Sequence, residues 1–270
     1  MKKTPTFLLV FLVMLFFFAC EQKPGGSPRN FAIQAATDTT LKLTWEAPTE
    51  GTPTKYYIYF KALGEANYTK VDEVSGTTTS YIHNPQGNTG YYYVSAVFGK
   101  NEYESDEKNT VPVPNPVQTL SELNAAGNSG YGWNRQTGSA NTYSMTQAAN
   151  ASNVDFYITN FAFGYNRTPY NIASPDMAPS DSGNVTPPGS WRVNGISDPI
   201  TDPQAPLPRY IEGTTYFNYT EIDRDPLYVA VKTEDNYYAL VKISGVNTQN
   251  GTVQIESWFQ KIQGLRLIKH

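Results

Sequence analysis

Along most of the chain, apolar residues recur at every second position, not at every third or fourth. "LKLTWEAP" puts Leu41, Leu43 and Trp45 on one side of an extended segment, and "KYYIYFKA" alternates in the same way through Tyr57 and Tyr59. A two-residue period belongs to a strand with one buried face. Similar segments are "NFAIQAAT", "YTKVDEV", "TTTSYIHN", "GYYYVSAVF" and "YESDEKNTVPV", which makes seven short strands over residues 28–113. Further on, "NTYSMTQAA" and "VDFYITNFAFGY" read as two more. "LYVAVKT", "YYALVKISGV" and "TVQIESWFQ" then form an antiparallel meander, turning at "EDN" and "NTQNG".

Two stretches break the pattern. "NTVPVPNPVQTL" holds Pro112, Pro114 and Pro116 at alternate positions. Proline lacks a ladder donor and favours an extended polyproline path, so residues 114–116 read as a short semi-rigid linker. "IASPDMAPSDSGNVTPPGSWRVNGISDPITDPQAPLPRY" reads mostly as loop, and a loop of that length is unusual inside a compact domain. The expected organisation is all-β: an immunoglobulin-like sandwich over residues 28–113, then a larger antiparallel β-domain over residues 117–270.

The start of the chain is different. Lys2 and Lys3 precede an uncharged apolar run, Phe7 to Ala19, which Cys20 closes. A bilayer-spanning helix takes about 20 residues, so this run has the length of a signal-peptide core. Cys20 is the chain's one cysteine and cannot form an internal disulfide. The segment resembles a bacterial lipoprotein signal, although Phe17 and Phe18 depart from its usual residues. A plain secretory signal cut near Ala19 and an uncleaved anchor are the other readings. The resemblance implies removal of residues 1–19, lipidation of Cys20 and a flexible tether over residues 20–27. Glu21, where an Asp would favour retention at the inner membrane, leans towards the outer membrane. Two or more acyl chains anchor stably, at about 0.8 kcal/mol per buried CH₂.

Pro28 with Phe31, "LTWEAP", "YYIYFK", "YYYVSAV" and "YES" at 103–105 together resemble a fibronectin type III domain across residues 28–113. That family commonly supplies spacers and protein-binding modules. His83, Asn84 and Pro85 stand where the family has Leu-x-Pro, and Tyr91, Tyr92 and Tyr93 all remain open as its corner tyrosine. Trp45 reads as core and His83 as a strand end. In the second half, "VDFYITNF" and "YYALVKI…GTVQIESWFQ" are similar to HmuY-like heme-binding envelope lipoproteins. The similarity implies a fold without heme, because that family's axial histidines are represented here only by His270. Met145 and Met177 read as packing or loop.

Composition narrows the chemistry. A net charge of −4 with 16% charged residues argues against nucleic acid, which calls for a basic patch. Two histidines and one cysteine leave no nucleophile–base pair and no zinc set, so no catalytic residue, metal or cofactor is expected. "EIDRDP" puts Glu221, Asp223 and Asp225 on one face if extended, a possible calcium site or a solvated edge. Tyr131, Trp133 and Arg135 alternate in "GYGWNRQTG", and Trp191 and Arg192 repeat the pairing. Aromatic rings beside polar donors suit a sugar or peptide surface; tryptophan in a β-domain is otherwise mostly core. The expected protein is a non-enzymatic binding or adhesion module for a glycan or protein, lipid-anchored in the cell envelope at the outer membrane. A periplasm-facing accessory subunit is the alternative, and a polysaccharide-acting enzyme comes third.

Overall fold

The computed structural model describes residues 25–270 other than Phe163, Ser182 and Asn184. The apolar leader and Cys20 lie outside the described residues. The rest is all-β, in two sandwiches. The first contains β1 (Arg29–Ala35), β2 (Leu41–Glu46), β3 (Lys55–Ala62), β4 (Thr69–Ser75), β5 (Ser80–His83), β6 (Gly90–Phe98), β7 (Asn101–Glu104) and β8 (Lys108–Asn109). One sheet runs β1-β2-β5. The other runs β4-β3-β6-β7, with β8 also pairing β6. Alternation selects the core: Leu41, Leu43 and Trp45 of β2 meet Tyr56 and Ile58 of β3 and Tyr92, Val94 and Ala96 of β6.

Tyr92 is the buried member of the 91–93 triplet. Its hydroxyl lies 2.9 Å from His83 Nδ1 and its ring stacks on Phe60. His83 is thus the side-chain partner of Tyr92. Burial holds the imidazole pKa below its ordinary value.

The second sandwich contains β9 (Val113–Ser121), β10 (Gly130–Trp133), β11 (Ala140–Tyr143), β12 (Phe156–Thr159), β13 (Asn171–Ala173), β14 (Gly195–Ser197), β15 (Tyr216–Phe217), β16 (Tyr219–Glu221), β17 (Leu227–Lys232), β18 (Tyr238–Asn247) and β19 (Thr252–Gln260). Five strands in the order β11-β10-β12-β13-β16 face six in the order β15-β14-β17-β18-β19-β9. Leu227, Val229 and Val231, then Ala239, Val241 and Ile243, then Val253, Ile255 and Phe259 fill the space between the sheets. The outer faces are apolar too, and chain segments cover them. The 3₁₀ turn Pro175–Ser180 and Trp191 lie with Tyr157 and Met145 outside the five-stranded sheet. Leu207 and Tyr210 lie with Ala230, Leu240 and Trp258 outside the six-stranded one. The long irregular run is therefore a covering layer, with β14 inside it.

Two connections differ from the expected layout. The prolines of residues 114–116 lie in β9, with Pro114 opposite Trp258 and Asn115 opposite Ser257, so they are not a free spacer. β9 is the edge of its sheet, where a missing N–H leaves no ladder bond broken. Asn115 also donates to Gly138 O (3.1 Å) and accepts from Ala140 N (2.7 Å), which ties β9 to β11. Residues 262–269, numbered with the second domain, run back to the first. Leu265 and Leu267 are fully buried in the core of the first sandwich. Arg266 pairs with Asp38 at 2.9 Å and donates to Leu207 O. Thr89 donates to Lys269 O at 2.6 Å, and Gln260 donates to Thr110 O at 2.9 Å.

Candidate functional site

The aromatic residues first singled out are core, not surface. All four residues of β10 are buried. Tyr131 and Trp133 point between the sheets, where the Trp133 indole N–H donates to Ser257 Oγ and Tyr131 Oη lies at the same 3.0 Å from that atom. Trp133 stacks on Phe259 and Tyr131 on Phe156. Trp191 lies outside the same sheet, 5% exposed, and donates to Pro187 O. The two tryptophans share no groove. Gly132 shows why this stretch turns inward: a Cβ there would sit 1.8 Å from Asn153 O, so only glycine lets residues 145–154 lie against the sheet.

Arg135 and Arg192 do converge, on Asp155. The Asp155 side chain is fully buried and the two arginines are 16% and 18% exposed. Arg135 makes a two-pronged contact with Asp155, both bonds 2.8 Å, and Arg192 adds a third at 2.7 Å. Trp133 N and Asn194 Nδ2 also donate to this residue. The second edge of Arg135 grips Asp235, in the turn between β17 and β18, at 2.8 and 3.0 Å. Burial disfavours the Arg135 charge, but the hydrogen bonds to Asp155 and Asp235 outweigh it and its pKa rises. A buried carboxylate persists only when it is saturated in this way. The cluster is a clasp that joins the two sheets at one end, with its charges used internally.

The acidic trio does not gather. Asp223 is gripped by its neighbour Arg224, both bonds 2.8 Å, and Asp225 accepts from Gly245 N at 2.8 Å. Among the described residues, no three His, Cys, Asp or Glu side chains stand close enough to hold a metal. Glu221 and Asp223 instead line a shallow depression of about 420 Å³ with Asp198, Phe217 and Tyr219.

The exposed aromatic array is on the first sandwich. β3 presents Lys55, Tyr57, Tyr59 and Lys61 outward, and β6 presents Tyr91 and Tyr93. Tyr68, just before β4, lies across them. Tyr59 and Tyr93 stack at 4.6 Å, and Tyr68 meets Tyr93 edge-on at 4.7 Å. Lys70 sits 4.2 Å over Tyr57. Lys61 sits 4.7 Å over Tyr68 and 4.9 Å over Tyr91. Tyr59 donates to Glu102 at 3.2 Å and Tyr68 donates to Glu107. Partial burial and Glu102 push the Tyr59 pKa up to about 12, so the phenol stays a hydrogen-bond donor at neutral pH. All five rings are half-buried, and among the described residues their ring, cation–ring and side-chain hydrogen-bond partners lie within residues 55–107. Lys55, Tyr57, Tyr59 and Lys61, at every second position of "KYYIYFKA", are the sequence signal for this face.

Residues 26–113 match the family model of the fibronectin type III domain. Similar solved structures are an FN3 domain of human collagen XX (20% identity, TM-score 0.28, covering 31% of this chain and 86% of that one) and the FN5 domain of Drosophila Lar (18%, 0.27, 31% and 91%). TM-scores this low carry no argument, and the assignment rests on the family match with the strand order. No curated protein matches the chain. The first sandwich is therefore a fibronectin type III domain, which suggests a module for binding or adhesion.

Proposed function

We propose that this chain is a non-enzymatic binding module of a bacterial cell envelope, lipid-anchored through Cys20, whose fibronectin type III domain carries the recognition face. The outward array of Tyr57, Tyr59, Tyr68, Tyr91 and Tyr93 carries this reading. Tyrosine combines a large apolar ring with a polar tip and little entropy to lose, which is why it is enriched where proteins bind. Membrane attachment is supported by the short apolar run ending at the lone cysteine, and a tether beginning there would hold the tyrosine face away from the bilayer. Among the described residues, no helix is long and apolar enough to cross a membrane.

The test is metabolic labelling with a clickable fatty acid, followed by protease treatment of intact cells and detection with antibody to the folded protein. The wild-type chain takes the label and Cys20→Ala does not. Digestion in intact cells puts the module outside, and protection until the envelope is breached makes it a periplasm-facing subunit. Equal labelling of wild type and Cys20→Ala overturns the anchor.

A further inference from the structure

The geometry of the tyrosine face narrows what it can hold. Small ligands take concave sites that enclose most of their surface. This face is the outer surface of a sheet. Its central rings, Tyr59 and Tyr93, stack on one another with only 17° between their planes, so neither offers a free platform on the side they share. Three strands, β4, β3 and β6, about 4.8 Å apart and about eight residues long make a patch on the order of 400 Å². That is about half of the roughly 800 Å² each partner gives to a standard protein interface.

Charge then sets polarity. Lys55 and Lys70 share the single carboxylate of Glu73, at 3.3 and 3.2 Å, so each is paired although the trio keeps a net charge of +1. Glu102 is occupied by Tyr59 and Ser95, and Glu107 by Tyr68. Glu104 stands opposite Ser95 at the β7 rim of the patch, and burial first, with the charges of Glu104 and Glu102 after it, raises the pKa of the Tyr93 phenol. Lys61 is the exception within the array. It is held over two tyrosine rings, and no carboxylate among the described residues lies within ion-pairing distance of it. A cation partly stripped of water and fixed between rings, without a counter-ion, is half of a charge pair.

From this we infer that the outer face of β3 and β6, with Tyr68, docks a protein partner that sets an acidic side chain against Lys61. This deepens the reading of the chain as a binding module and rests on it. The tyrosine rings supply the apolar area and Lys61 fixes the register. Glu104 at the rim disfavours a partner that is acidic throughout.

The test uses the full-length anchored protein in its own cells. A benzophenone-bearing amino acid replaces, in turn, Tyr93 on the face, Lys42 on the opposite sheet and Tyr219 beside the depression in the second sandwich. Ultraviolet light should join one discrete protein to position 93 and none to position 42, and the joined partner peptide should map to a surface bearing Asp or Glu. Lys61→Glu should lower that yield about tenfold or more, whereas Lys61→Arg retains it, with melting temperatures unchanged in both. A yield indifferent to Lys61→Glu, a partner surface without carboxylates, or attachment to polysaccharide overturns the inference. Crosslinking from position 219 alone also overturns it while leaving the binding-module reading intact. No crosslink from any position removes both.

Discussion

Two aromatic arrays in this protein follow the same alternation and end on opposite sides of a sheet. In β3 and β6 the odd-numbered tyrosines face solvent while Tyr56, Ile58, Tyr92 and Val94 form the core. In β10 and β12, Tyr131, Trp133, Phe156 and Ile158 are wholly inside, and the other face is buried as well. The difference comes from the spacer residues. β3 flanks its outer tyrosines with Lys55 and Lys61, whose charged ends resist cover by another segment. β10 alternates its aromatic residues with Gly130 and Gly132 on the opposite face, which let another segment close over the sheet. Aromatic content alone does not mark a surface; the residues set beside the rings do.

The sharpest way to break the comparison is to truncate one ring from each array. Trp133→Ala should cost about 3–5 kcal/mol in denaturant unfolding, whereas Tyr59→Ala, on the half-exposed face, should cost about 1 kcal/mol or less. Similar losses for the two would mean the faces are wrongly contrasted. Asp155→Ala should come next, at about 3 kcal/mol, because it leaves Arg135 and Arg192 facing each other without their shared anion. Leu267→Ala should cost about 2–4 kcal/mol, and a fluorescence probe at Trp45 in the first sandwich should report it.

A smaller effect is expected from pH. The folded His83 titrates below its ordinary pKa of 6.5 because burial penalises the imidazolium. Its contribution is therefore fully present above about pH 6.5 and is lost as pH falls from there through the folded pKa, since the unfolded chain takes up the proton first. Burial lowers the His270 pKa as well, so the measurement is a difference. Between about pH 7.5 and pH 5, the melting temperature of wild type should fall more than that of His83→Gln. Equal falls would mean that folding does not lower the His83 pKa. The smallest change is Tyr59→Phe, which loses the bond to Glu102 at an exposed site and should shift stability by less than about 1 kcal/mol.

Much of this architecture was legible in the chain. The period of two located the strands of the first sandwich and the β17–β19 meander, because each has one face in a core. Burial of Tyr131 and Trp133 was harder to read, since it depends on Asn153 and Ser257, which come close only after folding. The proline triplet misled for a related reason: whether a missing N–H breaks a sheet depends on where the strand sits, and β9 is an edge. The Arg135–Asp155–Arg192 clasp spans three separate segments, and no local spacing announces it. The tyrosine face was in plain view in "KYYIYFKA", but only the sheet order shows that Tyr68 and Tyr93 join it.

The return of residues 262–269 to the first sandwich has a consequence for the protein's biosynthesis. A ribosome releases the chain from its amino end, and domains ordinarily fold in that order. Here Leu265 and Leu267 plug the core of the sandwich that emerges first. That sandwich must wait, incomplete, until the second has been made. Residues 262–269 act as the key that locks the two halves together once both have been made.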